Sequence, residues 1–167
     1  MPGRSNDRRA AVAVPTAETG GTRHATPDAS PGFVLWQVAS IWQRAIRAAL
    51  VGVDLTHAQF VLLASAAWLE AELGAEGIPV TQAHIASQAK TDAVMTSEVL
   101  RTLERKELLR RRPHPTDARA RQIEVTPAGR RLARRALALV EAADDAFFGE
   151  AGPEVEALRR LLCSTRP

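Results

Sequence analysis

The sequence predicts a mainly α fold with one small β-hairpin placed after four helices and before two more. Three observations carry that expectation. Apolar residues recur at helical spacing over most of 33–164, helix-opening patterns stand at Thr56 and Thr126, and a Pro-containing basic tip separates two short strand-like runs. With 167 residues, of which 46% are hydrophobic, the chain can bury one substantial core.

Residues 1–31 are rich in Pro, Gly, Thr, Ser and Ala, lack aromatic residues and show neither helical nor strand period, so they are expected to form a disordered arm. From Phe33 to Val51 a broad stripe through Val38, Ile41, Trp42, Ala45, Ile46, Ala49 and Leu50 predicts the first helix. Thr56-His57-Ala58-Gln59 fits a capping box and opens the second helix, which runs to about Leu73, before Gly74 and Gly77. Thr81 caps a short third helix through Ile85 and Ala89, and either Thr91 or Asp92 caps the fourth.

In the fourth helix, Thr96, Val99, Leu100 and Leu103 fall within about 50° of one direction at 100° per residue and are expected to face the core. The opposite side carries Val94, Glu98, Arg101 and Arg105, flanked by Met95, Ser97 and Thr102. That outward face is polar and partly cationic. Leu109–Arg112 and Arg121–Val125 then read as strands around a turn-rich tip, with Ile123 and Val125 alternating against polar neighbours. Thr126-Pro127 opens a long fifth helix to about Phe148, and Gly152-Pro153 separates it from a sixth through Val155, Leu158, Leu161 and Leu162.

Charge is unevenly placed along this order. Residues 90–135 hold thirteen Lys or Arg against six Asp or Glu, while residues 136–167 hold three against six. A basic middle and an acidic end suit a polyanionic partner for the middle, although an Arg-rich solvated face gives the same count. Cys163 is the only cysteine, which excludes an intrachain disulfide. No apolar run approaches the roughly 20 residues a membrane-spanning helix requires. Arg8-Arg9 precedes an apolar run that Pro15 stops after five residues, so a cytoplasmic protein is expected.

An enzyme is disfavoured: there is no Gly-rich phosphate loop, nucleophile elbow or His-Glu-x-x-His, and Asp144 and Asp145, being adjacent, point in different directions. His57, His84 and His114 lack the close spacing of zinc motifs, so neither metal nor cofactor is expected. Cys163, beside Leu161 and Leu162 without a paired cysteine, reads as a small buried or partly exposed thiol, with a redox sensor as the alternative.

Two short helices followed by a basic hairpin form a winged helix-turn-helix, whose second helix fits the DNA major groove while the wing reaches the adjoining minor groove or backbone. Arg119 at the wing tip suits a narrow minor groove, because its guanidinium stays charged and is weakly hydrated. Asp117, two residues earlier, suits a clamp that holds that guanidinium before DNA arrives. The main alternative is a winged-helix interaction module without DNA binding, which would not need the surplus of cations.

The segment from Met95 to Arg110 resembles the recognition helix and first wing strand of MarR-type regulators. His114-Pro115-Thr116-Asp117-Ala118-Arg119 and the following Ile123-Glu124-Val125-Thr126-Pro127-Ala128-Gly129 resemble their Asp-x-Arg wing and the opening of their dimer helix. The resemblance covers about residues 33–165. It implies a homodimeric, ligand-responsive repressor binding a pseudo-palindromic double-stranded DNA operator, with dimer helices at about 33–51 and 127–164 and a DNA-binding lobe at about 56–126 in a domain spanning 32–165. It further implies DNA contacts from Ser97, Glu98, Arg101 and Arg119; Thr81, Thr91, Val94, Met95 and Arg121 complete the candidate set, and His114 is a secondary phosphate candidate.

Two positions depart from the family pattern. Glu107 stands where glycine is usual, and Glu98 where many members carry arginine. The resemblance also implies a small-molecule effector pocket. Trp36, Trp42, Phe60 and Trp68 are its candidate residues, and core or dimer interface is the other use for such aromatics.

Overall fold

The structure is a computed structural model that describes His24 and residues 26–117, 119–149 and 152–165. Its elements run α1 (Pro31–Leu50), α2 (His57–Gly74), α3 (Gln82–Ala89), α4 (Ala93–Arg105), β1 (Leu109–Pro113), β2 (Arg121–Val125), α5 (Pro127–Phe148) and α6 (Pro153–Ser164), with 3-10 turns at Pro27–Ala29 and Val51–Val53. The mainly α fold with a hairpin wing is thus present. Most of the arm expected over 1–31 lies outside the described residues. Helix α1 starts two residues before the apolar stripe does, because Pro31 suits a first helical position and the Ser30 hydroxyl accepts from the Phe33 amide at 3.4 Å.

The chain divides into two compact units, Met1–Gln37 and Val38–Pro167. In the first, the rings of Phe33 and Trp36 stack with centroids 6.1 Å apart. The second contains the core, with α2 contacting α3, α4, α5 and β2. Buried Phe60, Leu62, Leu63, Ala66 and Leu69 spread over about half the circumference of α2, wider than the single stripe of a surface helix. Thr96, Leu100 and Leu103 of α4 are fully buried and Val99 is partly so, as the helical spacing predicts. Ile123 and Val125 bring the inward side of β2 onto the same core.

Several local devices fix the wing to the helices. Antiparallel pairing runs from Leu109 opposite Val125 to Pro113 opposite Arg121. The Ile123 amide donates to the Val80 carbonyl at 2.8 Å, and Thr81 bridges to Gln122, so the chain entering α3 lies along the outer side of β2. At the base, the Thr126 hydroxyl accepts from the Gly129 amide at 3.0 Å and reaches the Glu107 and Leu108 carbonyls at 2.9 and 3.2 Å. One carboxylate oxygen of Glu70 accepts from the Val125 amide at 2.5 Å, and the other pairs with Arg130.

Helix α4 ends at a left-handed residue, as the family's usual glycine would end it, although the residue is Glu107 with φ of 57°. The Leu108 amide closes the turn on the Leu103 carbonyl at 3.0 Å. A side chain there costs about 1 kcal/mol against glycine, a strain held by the bonds on either side.

Candidate nucleic-acid interface

Helix α4 is placed by a tight turn. Thr81 caps α3 in a capping box with His84, its hydroxyl accepting from the His84 amide at 3.3 Å. Lys90, with φ of 53°, ends α3, and the Thr91 amide reaches back to the Ala86 carbonyl at 3.0 Å. Of the two candidate caps for α4, Asp92 performs the role: its carboxylate accepts from the Met95 amide at 2.8 Å. Thr91 turns instead toward buried Thr96, hydroxyl to hydroxyl at 2.8 Å. The hydroxyls of Thr81 and Thr91 are therefore both engaged within the protein.

The outward face of α4 is as the sequence predicts. Val94 is 70% exposed, Glu98, Arg101 and Arg105 are exposed, and Met95, Ser97 and Thr102 are half-buried. Arg101 lies along the helix and donates to the Ser97 hydroxyl at 3.0 Å, while Arg105 donates to the Thr102 hydroxyl at 2.9 Å. Arg101 is consequently held over the surface rather than extended at random.

Arg111 was not singled out by sequence reasoning, yet it joins wing to reading helix. Its guanidinium donates to the Ser97 carbonyl at 3.2 Å, its amide donates to the Glu104 carboxylate at 3.1 Å, and its Nε lies 3.4 Å from the other Glu104 oxygen. The available signal was strand alternation: within Arg110-Arg111-Arg112 the flanking residues point outward and the middle one toward α4. Arg112 pairs across the hairpin with Glu124 at 2.9 Å.

At the wing tip the described contact of Asp117 is to the main chain. Asp117 accepts from the main-chain amide of Arg119 at 2.9 Å, and among the described residues no ion pair joins the two side chains. Two residues apart at the tip, the carboxylate reaches the amide directly, as in an Asx-type turn. His114 Nδ1 completes the tip by accepting from the amides of Thr116 at 3.3 Å and Asp117 at 3.1 Å. Arg119 and Arg121 are exposed and form no ion pair among the described residues. A groove of about 810 Å³ runs between α3 and the wing, with Arg111, Arg119, Arg121, His84 and His114 on its walls.

The four candidate effector aromatics have different environments. Phe60 is in the core, Trp68 is half exposed, and Trp36, in the first unit, is exposed. Trp42 donates from Nε1 to Asp144 Oδ1 at 2.6 Å and meets His57 edge-on with centroids 5.3 Å apart. Burial, with Arg47 nearby, holds the His57 pKa below its ordinary value, and Asp144 works in the opposite direction. Cys163 is a free, exposed thiol. Among the described residues no group of three or more His, Cys, Asp or Glu is placed to hold a metal, and no single helix is long and apolar enough to cross a membrane.

Residues 74–120, which hold the turn, the reading helix and the hairpin tip, match the MarR family. The HTH-type transcriptional regulator YdcH of Bacillus subtilis (strain 168) is 44% identical over 125 residues, covering 75% of this chain and 82% of YdcH. The chain belongs to the MarR family. A second relative, the HTH-type transcriptional repressor Rv2887 of Mycobacterium tuberculosis (strain ATCC 25618 / H37Rv), is 28% identical over 136 residues, covering 81% of this chain and 92% of Rv2887. Among solved structures, CouR from Rhodococcus jostii RHA1 bound to p-coumaroyl-CoA is similar with a TM-score of 0.70 and 26% identity, covering 84% of this chain and 94% of CouR. Membership of the MarR family accounts for the order of helices, hairpin and closing helices, and makes the chain a transcriptional regulator rather than an enzyme.

Proposed function

We propose that this MarR-family regulator is a cytoplasmic homodimer that represses transcription by binding a pseudo-palindromic double-stranded operator and releases it when a small molecule binds. The observation that carries the reading is the joining of α4 to the wing through Arg111: two DNA-reading elements form one unit, with Arg101 on one element and Arg119 on the other forming no ion pair among the described residues. Met95, Ser97, Glu98 and Arg101 contact base edges in the major groove, with exposed Val94 positioned to meet a thymine methyl. Thr81 and Thr91 approach the backbone beside them. Arg119 enters the minor groove, where a narrow, strongly negative groove favours a guanidinium, and Arg121 contacts phosphate.

Dimerisation uses α1, α5 and α6 of a domain spanning 32–165, with 1–31 as an arm. Ile41 on α1 and Leu161 on α6 are apolar side chains about half or more exposed in the single chain, which supports a covered role in an assembly. Two-fold pairing presents the reading helices to half-sites about one helical turn, roughly 10 base pairs, apart. A repressor among the relatives and a small-molecule complex among the similar structures support repression and effector response. Trp42 and Trp68 are the candidate effector contacts, Trp36 and Phe60 being the others in the same aromatic set.

Selection of bound sequences from random double-stranded DNA tests the reading. The expected product is an inverted repeat, and Arg101→Ala relaxes preference at one position per half-site by about 1–3 kcal/mol of discrimination. Recovery of no sequence at low salt, or of a single unrepeated site, would overturn it.

A further inference from the structure

We infer that Glu98 selects the operator by exclusion: its carboxylate admits cytosine at one base pair of each half-site, refuses bases that present only acceptors there, and weakens seating on unrelated DNA. This deepens the DNA-binding reading and rests on it. Helix α4 lacks the cationic surplus of the hairpin beside it. Residues 92–105 hold Asp92, Glu98 and Glu104 against Arg101 and Arg105, whereas residues 109–125 hold five arginines against Asp117 and Glu124. A surface meant only to attract a polyanion would not be composed this way.

Two of the three acids have tasks inside the protein. Asp92 caps α4, and Glu104 holds the Arg111 amide. Glu98 has none. At 100° per residue Val94, Glu98, Arg101 and Arg105 fall within about 60° of arc, on the side away from buried Thr96, Leu100 and Leu103. The cations next to Glu98 on that face are held by other groups, Arg101 by the Ser97 hydroxyl and Arg105 by the Thr102 hydroxyl. Thr102 in turn donates to the Glu98 main-chain carbonyl at 3.1 Å and leaves the carboxylate untouched. Among the described residues the Glu98 side chain forms no ion pair and no hydrogen bond.

The chemistry of the groove then decides what Glu98 tolerates. An ionised carboxylate only accepts hydrogen bonds. Guanine presents N7 and O6 and thymine presents O4, all acceptors, so opposite either base the carboxylate loses its water and gains no partner. Adenine offers its N6 amino group only beside the acceptor N7, which repels the second carboxylate oxygen. Cytosine offers the N4 amino group without an acceptor beside it on the groove edge, and is the base that satisfies Glu98. Arg101 stands three residues on, about 4.5 Å along the helix axis, so the two side chains address neighbouring base pairs.

Repulsion acts as well where no base is read. A guanidinium on this face would attract any phosphate, so its gain would be shared by every sequence, whereas a carboxylate is repelled by the backbone whenever α4 docks out of register. With glutamate where many family members carry arginine, this chain exchanges affinity for discrimination. The attraction comes from the hairpin, whose Arg110, Arg119 and Arg121 are exposed and form no ion pair among the described residues. The wing holds a duplex, and α4 rejects the wrong one.

Selection from random double-stranded DNA with the full chain, its Glu98→Gln variant and its Glu98→Ala variant tests this, alongside anisotropy titrations of one unrelated duplex at constant salt and circular dichroism to confirm folding. The parent is expected to select cytosine at one position per half-site, next to the position that Arg101→Ala relaxes. Glu98→Gln should exchange that cytosine for adenine, whose N6 and N7 a carboxamide satisfies together, and Glu98→Ala should accept any base there. Both variants should bind the unrelated duplex at least about threefold more tightly than the parent. Selected sites that neither substitution alters would overturn the inference and leave the DNA-binding reading standing. Loss of operator affinity with no gain on the unrelated duplex would make Glu98 an attractive contact only, and exclusion would fall. A parent that selects no sequence at low salt overturns both readings.

Discussion

A Cβ added to Gly129 would lie 1.9 Å from the Leu108 carbonyl oxygen and 2.9 Å from a Val125 side-chain carbon. Backbone meets backbone here, so no side chain can swing aside. Gly129→Ala is expected to destabilise the fold by about 2–3 kcal/mol or more, since the start of α5 must move off the Leu108 backbone that joins α4 to β1. Urea unfolding measures this; a loss below about 0.5 kcal/mol would mean that the junction yields.

Glu107 makes the opposite forecast. Its left-handed backbone carries the strain of a side chain with no compensating side-chain bond among the described residues. Glu107→Gly is expected to stabilise by up to about 1 kcal/mol, partly offset by the greater freedom of glycine in the unfolded chain. Loss of stability in the same urea experiment would show that the Glu107 side chain has a favourable role.

Arg119 and Arg111 separate contact from support. Arg119→Ala should weaken operator binding and reduce the slope of log affinity against log salt by about one phosphate contact. Arg111→Ala should weaken binding with little change of slope, because Arg111 reaches the Ser97 carbonyl and Glu104 inside the protein. Titrations at several salt concentrations distinguish them, and equal slope changes would put both guanidiniums on DNA.

His57 gives stability a pH dependence of defined sign. Burial and then Arg47 lower its pKa from the ordinary 6.5, against Asp144, so below that value the unfolded chain binds a proton more readily than the folded one. The associated stability is fully present above about pH 6.5 and is lost as pH falls through the lowered folded value. Urea midpoints of the parent should therefore drop between pH 7.5 and 5 by more than those of His57→Gln. Parallel curves would remove His57 from the linkage.

The helices and hairpin were legible because each has its own local signal: stripes for α1, α4 and α5, capping residues at Thr56, Thr81 and Thr126, and alternation at Ile123 and Val125. The face of α4 followed from angular placement alone. What sequence could not display were contacts made across the chain. Arg111 reads as one cation in a basic run until β1 is laid against α4, and Glu70 reads as a solvated helix residue until β2 and α5 arrive beside it. At Asp117 the spacing of two identifies the turn but not that the carboxylate accepts from the Arg119 amide. For the aromatic set, residue type and helix membership do not fix direction, so Phe60 is buried while Trp68 is half exposed.

The two-handed grip of Glu70 on the Val125 amide and on Arg130 has a mechanical consequence. A bend at Thr126 would break the grip, so the last strand of the hairpin and the first turns of α5 move as a single lever arm. Any tilt imposed on α5 is thereby carried to the wing tip at full length instead of dissipating at the joint. On the proposed function, a small rotation of α5 far from the double helix would be passed on to the wing that meets it.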